Sequence, residues 1–219
     1  MIFELPLFPL NTVLFPGMPV HLHIFEERYK TMIQHCLDQD KMFGVVLIEQ
    51  GVEAGRNLAT PHLIGCTAQI THVERLAEGR LNLLAIGQER FRINTLDQTA
   101  QPYLVGQVDL FPLPNENADS LADVVRLLRP LVESYLIKLG EAGQTTAQLE
   151  RLTDNPLLFC YLAATLLQIP VSQKQNLLAA LNIAQLVHNL QTIYRRELML
   201  LDVLLAKPDE NRPDGYKLN

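Results

Sequence analysis

The chain has no tryptophan, and its longest uncharged apolar stretch, Leu157 to Ile169, is 13 residues. A bilayer needs about 20, so that run reads as a buried helix and no membrane contact is expected. The three cysteines, Cys36, Cys66 and Cys160, lie far apart in apolar surroundings and form no Cys-x-x-Cys pair. That spacing excludes a disulfide framework and a zinc ribbon, and suits small core residues in a reducing compartment, which points to the cytoplasm. Positive charge is also short. Lys and Arg number 18 against 24 Asp and Glu, for a net charge of -6, and no local basic excess exists to neutralise phosphates. Nucleic acid is therefore not an expected partner. None of the 11 glycines is followed by Lys, so the phosphate-cradling loop of nucleotide hydrolases is absent. The first residues carry no basic group ahead of their apolar run, and Pro6, Pro9, Pro16 and Pro19 interrupt it; this is not the pattern of a secretory leader.

What is present divides in two. Up to about residue 110 the apolar residues alternate, the signature of short strands. Val20, Leu22 and Ile24 alternate, Phe43 to Ile48 is continuous, and Ile64, Cys66, Ala68 and Ile70 alternate again. A Glu78-Gly79 turn should join strands over 70–76 and 81–86 as a hairpin, with further strands over 90–96 and 103–110. One helix interrupts them over 26–38, where Tyr29, Met32, Ile33, Cys36 and Leu37 recur at helical spacing. Glu26-Glu27 opens it on the positive end of its dipole, and Glu26 is spaced to pair with Lys30. The stretch from Phe111 to Asp119, with two prolines and a polar cluster, breaks the pattern.

Beyond it the period becomes 3.6. Ser120 with Asp123 resembles a capping box, and Leu121, Val124, Val125, Leu128, Val132 and Tyr135 form a stripe that Pro130 should kink. Residues 140–145 read as a connector. Asn155-Pro156 begins a second helix that ends before Pro170. Ser172 with Gln175 and Asn182 with Gln185 cap two more, and the last runs over 183–206. Its stripes fit an intramolecular bundle or a dimer contact equally well. The expected class is α+β, with a β-rich subdomain over 1–113, a helical subdomain over 114–206 and a polar tail over 207–219.

Chemistry-bearing groups are sparse. Ser134 and Lys138 are one helical turn apart and could form a nucleophile–base pair, but no glycine-rich oxyanion loop accompanies them. His21 and His23 share one face of a strand and could supply two metal ligands, with His35, His62 or His72 as a third. Both groups have plain structural readings, and a hydrolase built on either is the alternative to a binding module. No cofactor is expected.

Five segments together resemble a known family. Leu5-Pro-Leu-Phe-Pro-Leu-Asn-Thr-Val-Leu-Phe-Pro-Gly-Met-Pro-Val20 and Leu22-His-Ile-Phe-Glu-Glu-Arg-Tyr-Lys30 are followed by Phe43-Gly-Val-Val-Leu-Ile48, Ile64-Gly-Cys-Thr-Ala-Gln-Ile70 and Gly87-Gln-Glu-Arg-Phe-Arg-Ile93. Their order resembles the Lon substrate-binding domain family over about residues 2–206. The resemblance implies a PUA-like pseudo-β-barrel with one packed helix, followed by an α-helical bundle. It implies a non-catalytic module that recognises unfolded or specific protein segments, with a separate protease or chaperone as a further partner. The ATPase and protease modules of the full enzyme have no counterpart in these residues. The proline-rich opening is expected to be a stiff segment pinning a sheet edge. Arg28, opposite Met32 and Ile33, is expected to be free to pair or to contact a partner, and Arg90 and Arg92 should share one side of a strand. The expected partner-binding residues are Phe15, Phe25, Arg28, Tyr29 and Arg90, around a groove between the first helix and the barrel.

Overall fold

The structure, a computed structural model, describes residues 1–39, 42–51, 59–114, 118–143 and 153–206, with the backbone alone over 118–124. Alternating and proline-bearing segments form seven strands: β1 (Ile2–Leu10), β2 (Pro19–Ile24), β3 (Met42–Gln50), β4 (Thr60–Pro61), β5 (Ile64–Arg75), β6 (Leu81–Asp97) and β7 (Leu104–Leu110). Helix α1 (Glu27–Asp38) lies between β2 and β3. Helices α2 (Ala118–Glu141), α3 (Pro156–Leu166), α4 (Val171–Leu178) and α5 (Ile183–Leu205) follow.

The strands run in the order β1-β7-β6-β5-β3-β4, and a parallel pairing of β1 with β3, from Leu7 opposite Gly44 to Leu10 opposite Leu47, closes five of them into a ring. β1 is therefore flanked on both sides, by β3 and by β7, and does not pin an edge as its prolines led us to expect. A strand residue directs its N–H toward one neighbour only, so Pro6 and Pro9 each forgo a single ladder bond. The separate strands expected over 81–86 and 90–96 are one 17-residue strand. Its first half lies between β2 and β5, its second between β5 and β7, and bulges at Cys66/Ala68 and Ile93/Thr95 let it change partners. The expected hairpin turn is present, with Glu78 at φ 60° and Gly79 at φ 67° and Arg75 opposite Leu81.

Both faces of the strands are covered. On one, α1 sets Tyr29, Met32, Ile33 and Cys36 against Phe8, Phe43, Val45, Ile70 and Leu83. On the other, Leu5, Leu7, Val46, Phe91, Ile93, Leu104 and Val108 pack together. A third cluster belongs to the helices, where Tyr135 meets Tyr194 edge to face at 5.2 Å and the Tyr194 hydroxyl donates to the Ala163 carbonyl at 2.7 Å. Phe15, Leu113 and Ile64 join this cluster from the strand side, so the helices and strands share a core.

The helix ends follow their sequence signals in part. Asn155 accepts from the Leu158 N–H at 3.0 Å with Pro156 at the first position. Asn182 accepts from the Gln185 N–H, while Gln185 accepts from the Leu181 N–H, each at 2.8 Å. Two starts differ from expectation. α2 begins at Ala118, two residues before Ser120, and runs through Pro130; α4 begins after Pro170, so Ser172 lies in its first turn and caps nothing. The preset φ of Pro170 starts the turn before the serine is reached. The end of the expected connector over 140–145 and the tail over 207–219 fall outside the described residues.

Candidate functional site

Where the ring meets the helices, a cleft of about 500 Å³ opens. Three elements wall it. Pro16 comes from the segment between β1 and β2, Pro112, Leu113 and Pro114 from the chain leaving β7, and Leu157, Leu158 and Tyr161 from the first turns of α3; Gln88, Glu89 and Arg90 of β6 complete it. Two glycines hold the first wall in place. Gly17, at φ +79°, donates to the Gly87 carbonyl at 2.8 Å, and the Gly87 N–H donates to the Met18 carbonyl at 2.9 Å. A Cβ on Gly17 would stand 2.8 Å from Leu158 Cδ2, so the wall and α3 approach as closely as glycine allows. Phe15, 1% exposed and 6.2 Å from the Tyr161 ring, anchors the segment from behind; burying such a ring contributes about 2–3 kcal/mol.

Arg90 is the unusual group. It is 2% exposed, and its Nη2 donates to the Ala180 carbonyl at 2.8 Å, tying β6 to the turn before α5. The guanidinium lies 4.8 Å from the centre of the Phe111 ring, an attractive placement for a cation. Its Nε and Nη1 have no hydrogen-bond partner, and among the described residues no carboxylate pairs with it. Burial pulls the guanidinium below its ordinary pKa, and the neighbouring Tyr161 phenol, electrostatically and through a side-chain hydrogen bond, opposes that. Arg starts so high that it remains charged. Burial in turn pushes the Tyr161 phenol up to about 12, with Arg90 acting against it, so the hydroxyl keeps its proton at neutral pH. On α4, Gln175 donates to the Ile64 carbonyl at 2.9 Å while its Oε1 has no partner. The arrangement is a desolvated positive charge, partly paired, among apolar walls.

The five residues expected to bind a partner do not share one groove. Arg90 lines the cleft and Phe15 backs it, but the other three lie at the start of α1. Phe25 is 56% exposed and stacks on His23 at 6.1 Å. Tyr29 is buried and stacked on Phe8 at 4.1 Å. Of the two roles open to Arg28, the pair is the one taken: its Nε bonds the Glu26 carboxylate at 3.0 Å and its head lies 4.5 Å from the Tyr29 ring. Glu26 is thereby occupied, and Lys30 pairs with Glu27 at 2.8 Å, so the expected Glu26–Lys30 pair is replaced. Arg90 and Arg92 do share a side of β6, both over Phe111.

The alternative chemistries fare as follows. Lys138 is ion-paired with Asp202 across α2 and α5, which occupies the amine that Ser134 would need as a base. His23 Nδ1 donates to Asn82 Oδ1 at 2.8 Å, and Asn82 donates to Glu74 at 2.8 Å, a ladder across β2, β6 and β5. His21 and His72 stand on either side of Leu84, their backbones two strand spacings, roughly 10 Å, apart. Among the described residues no group of three or more His, Cys, Asp or Glu is placed to hold a metal ion. The cleft walls from Pro112 to Pro114 and on α3 were not singled out from the sequence. The prolines there read as a boundary, and the uninterrupted apolar run of α3 conceals which of its residues face outward.

This combination of ring, helices and cleft can be compared with known proteins. A model of the ATP-dependent protease La (LON) substrate-binding domain matches residues 4–195. The chain belongs to that family. Lon protease 2 of Herpetosiphon aurantiacus is 27% identical over 206 residues, covering 91% of this chain and 24% of the relative; Lon protease 2 of Myxococcus xanthus is 26% identical over 182 residues, covering 82% and 22%. The chain thus spans about a quarter of the length of the Lon proteases it matches. The fold is that of a Lon N-terminal domain. A Lon N-terminal domain protein from Xanthomonas campestris superimposes with a TM-score of 0.63 at 25% identity, over 89% of this chain and 98% of that one. The N-terminal domain of Mycobacterium avium complex Lon protease does so with a TM-score of 0.60 at 18% identity, over 92% and 97%. No helix among the described residues is long and apolar enough to cross a membrane.

Proposed function

We propose that the chain is a non-catalytic protein-recognition module that holds extended or unfolded polypeptide in the cleft between the strand ring and α3. The observation that carries this reading is the cleft itself in a Lon substrate-binding domain: proline and leucine walls with one buried, incompletely paired guanidinium. Apolar walls hold side chains without strict sequence demand, and the charged floor fixes the orientation of what they hold. In this reading the strands over 1–113 are a PUA-like pseudo-barrel, the helices over 114–206 a bundle, and the cleft their seam. The module works in the cytoplasm and passes clients to a separate protease or chaperone. Three buried, unpaired thiols accord with a reducing compartment, and the net charge of -6 weighs against nucleic acid as client.

The test is fluorescence anisotropy of labelled, permanently unfolded casein titrated with the protein, followed by a gel of the same samples after long incubation with ATP. Saturable binding with intact casein is expected. No binding at high micromolar protein would overturn the recognition of unfolded chains, and cleavage would overturn the non-catalytic assignment.

A further inference from the structure

Arg90 shows what the cleft selects. A buried charge is stabilised when an opposite charge and hydrogen bonds meet it, yet among the described residues the Arg90 guanidinium meets only neutral groups, the Ala180 carbonyl and the Tyr161 phenol, and its Nε and Nη1 are left without a partner. Both belong to a planar array of donors that suits a carboxylate better than any neutral acceptor, since charge-assisted bonds are about twice as strong. The walls add a second requirement. Pro16, Leu113, Leu157 and Leu158 line the same cleft, so a group that fills it carries an apolar side chain next to the carboxylate. The side chains of Asp and Glu lack that neighbour; the last residue of a polypeptide, when it is apolar, has both on one Cα.

We propose that the cleft takes the C-terminal residue of a client chain, its α-carboxylate on the Arg90 guanidinium and its apolar side chain between Pro16, Leu113, Leu157 and Leu158. This rests on the protein-recognition reading above and names the part of the client that is read. Nε and Nη1 are shielded from solvent and face different edges of the guanidinium, so the carboxylate takes one of them as the α3 side chains at the mouth swing aside; Leu158, 36% exposed, is the outermost of these. Gln88 and Glu89, exposed on β6 at the rim, then meet the N–H groups of the preceding peptide units.

The experiment uses the full chain and one fluorescein-labelled peptide ending in Leu-Leu, made with a free C-terminal carboxylate and with a C-terminal amide. The free acid is expected to bind about tenfold or more tightly than the amide, a difference of about 1.4 kcal/mol. Leu158→Glu, which sets a carboxylate at the mouth from the most exposed of the α3 wall positions, is expected to weaken the acid by a similar factor while the protein still unfolds in one cooperative transition. Arg90→Lys is expected to erase the difference between acid and amide, and Leu158→Glu keeps the test open if that variant does not fold. Equal binding of acid and amide, or an unchanged affinity in Leu158→Glu, overturns the proposal. If casein still binds in that case, the general recognition reading stands and only the terminal carboxylate falls; if neither casein nor peptide binds, both fall. Competition by 4-methylpentanoate as strong as that of the unlabelled acid peptide overturns the polypeptide source and assigns the cleft to small carboxylic acids.

Discussion

Gly87→Ala separates steric from conformational roles of glycine in this fold. Gly87 lies in β6 outside the left-handed region, so adding a methyl would ordinarily stabilise the chain by about 0.4–1 kcal/mol through the unfolded state. Here the new Cβ would stand 2.4 Å from the Phe15 carbonyl oxygen, 3.1 Å from its carbon and 3.2 Å from Cys66 Sγ. The nearest atoms are backbone and cannot rotate away. Relief requires residues 15–18 to withdraw, which breaks the bonds from Gly17 N–H to Gly87 O and from Gly87 N–H to Met18 O. Two bonds at about 1 kcal/mol each, with overpacking of about 1–3 kcal/mol and the entropic gain subtracted, leave a net loss of about 3 kcal/mol. For a chain of this size that lowers the thermal midpoint by about 6–12 °C. The assay is thermal unfolding by circular dichroism beside a urea midpoint. Gly143→Ala is the control: Gly143 has φ +70° and nothing within 4 Å of its would-be Cβ, so it incurs only the left-handed penalty of about 1–2 kcal/mol. A Gly87→Ala protein as stable as the parent, or less perturbed than Gly143→Ala, would refute the packing argument. Because Pro16 walls the cleft, the same variant is expected to bind casein more weakly.

Two further predictions concern titrating groups. Burial pushes the Cys36 and Cys160 thiols up to about 12 and Cys66 higher still, so none reacts with Ellman's reagent at pH 8 in the folded protein and all three do after unfolding. Stability then declines as pH rises above about 8.5, because the unfolded chain releases thiol protons that the folded chain retains; native reactivity at pH 8 would contradict this. From β6, the Asn94 amide at 2.7 Å and the Arg92 guanidinium at 3.1 Å hold the Asp109 carboxyl of β7 below its usual range. Its contribution is present above about pH 3.9 and is lost as pH falls below it, since the unfolded chain takes the proton first. Carbon NMR titration should place Asp109 below an ordinary aspartate and move it up in Asn94→Ala; a midpoint unmoved by that change would count against the assigned cause.

Much of the local structure is legible in the residues. The burial of Tyr29, Met32, Ile33 and Cys36 follows from their spacing, the β5–β6 turn from Glu78-Gly79, and the starts of α3 and α5 from Asn155 and Asn182, because each depends on neighbours within a few positions. Where a distant partner overrides the local signal, the sequence misleads. Gly87-Gln-Glu reads as an interruption, yet β6 continues through it, since the backbone of Gly87 is held by residues 17 and 18. The prolines of β1 read as an edge, yet β1 lies inside the ring, because the parallel pairing with β3 joins segments some 37 positions apart.

The site divides in the same way. By itself the sequence determined the family, the absence of a phosphate loop, and the alternation of Arg90 and Arg92 with Phe91 and Ile93. It could not show that Arg90 is buried with two nitrogens unpartnered, or that Arg28, open to a pair or to a partner, is bonded to Glu26. That outcome depends on which carboxylates and carbonyls arrive from elsewhere in the chain, Ala180 among them. The cleft likewise exists only once Pro16, Pro112 to Pro114 and the first turns of α3 converge, for a cavity is a property of the space between elements and no single segment encodes it.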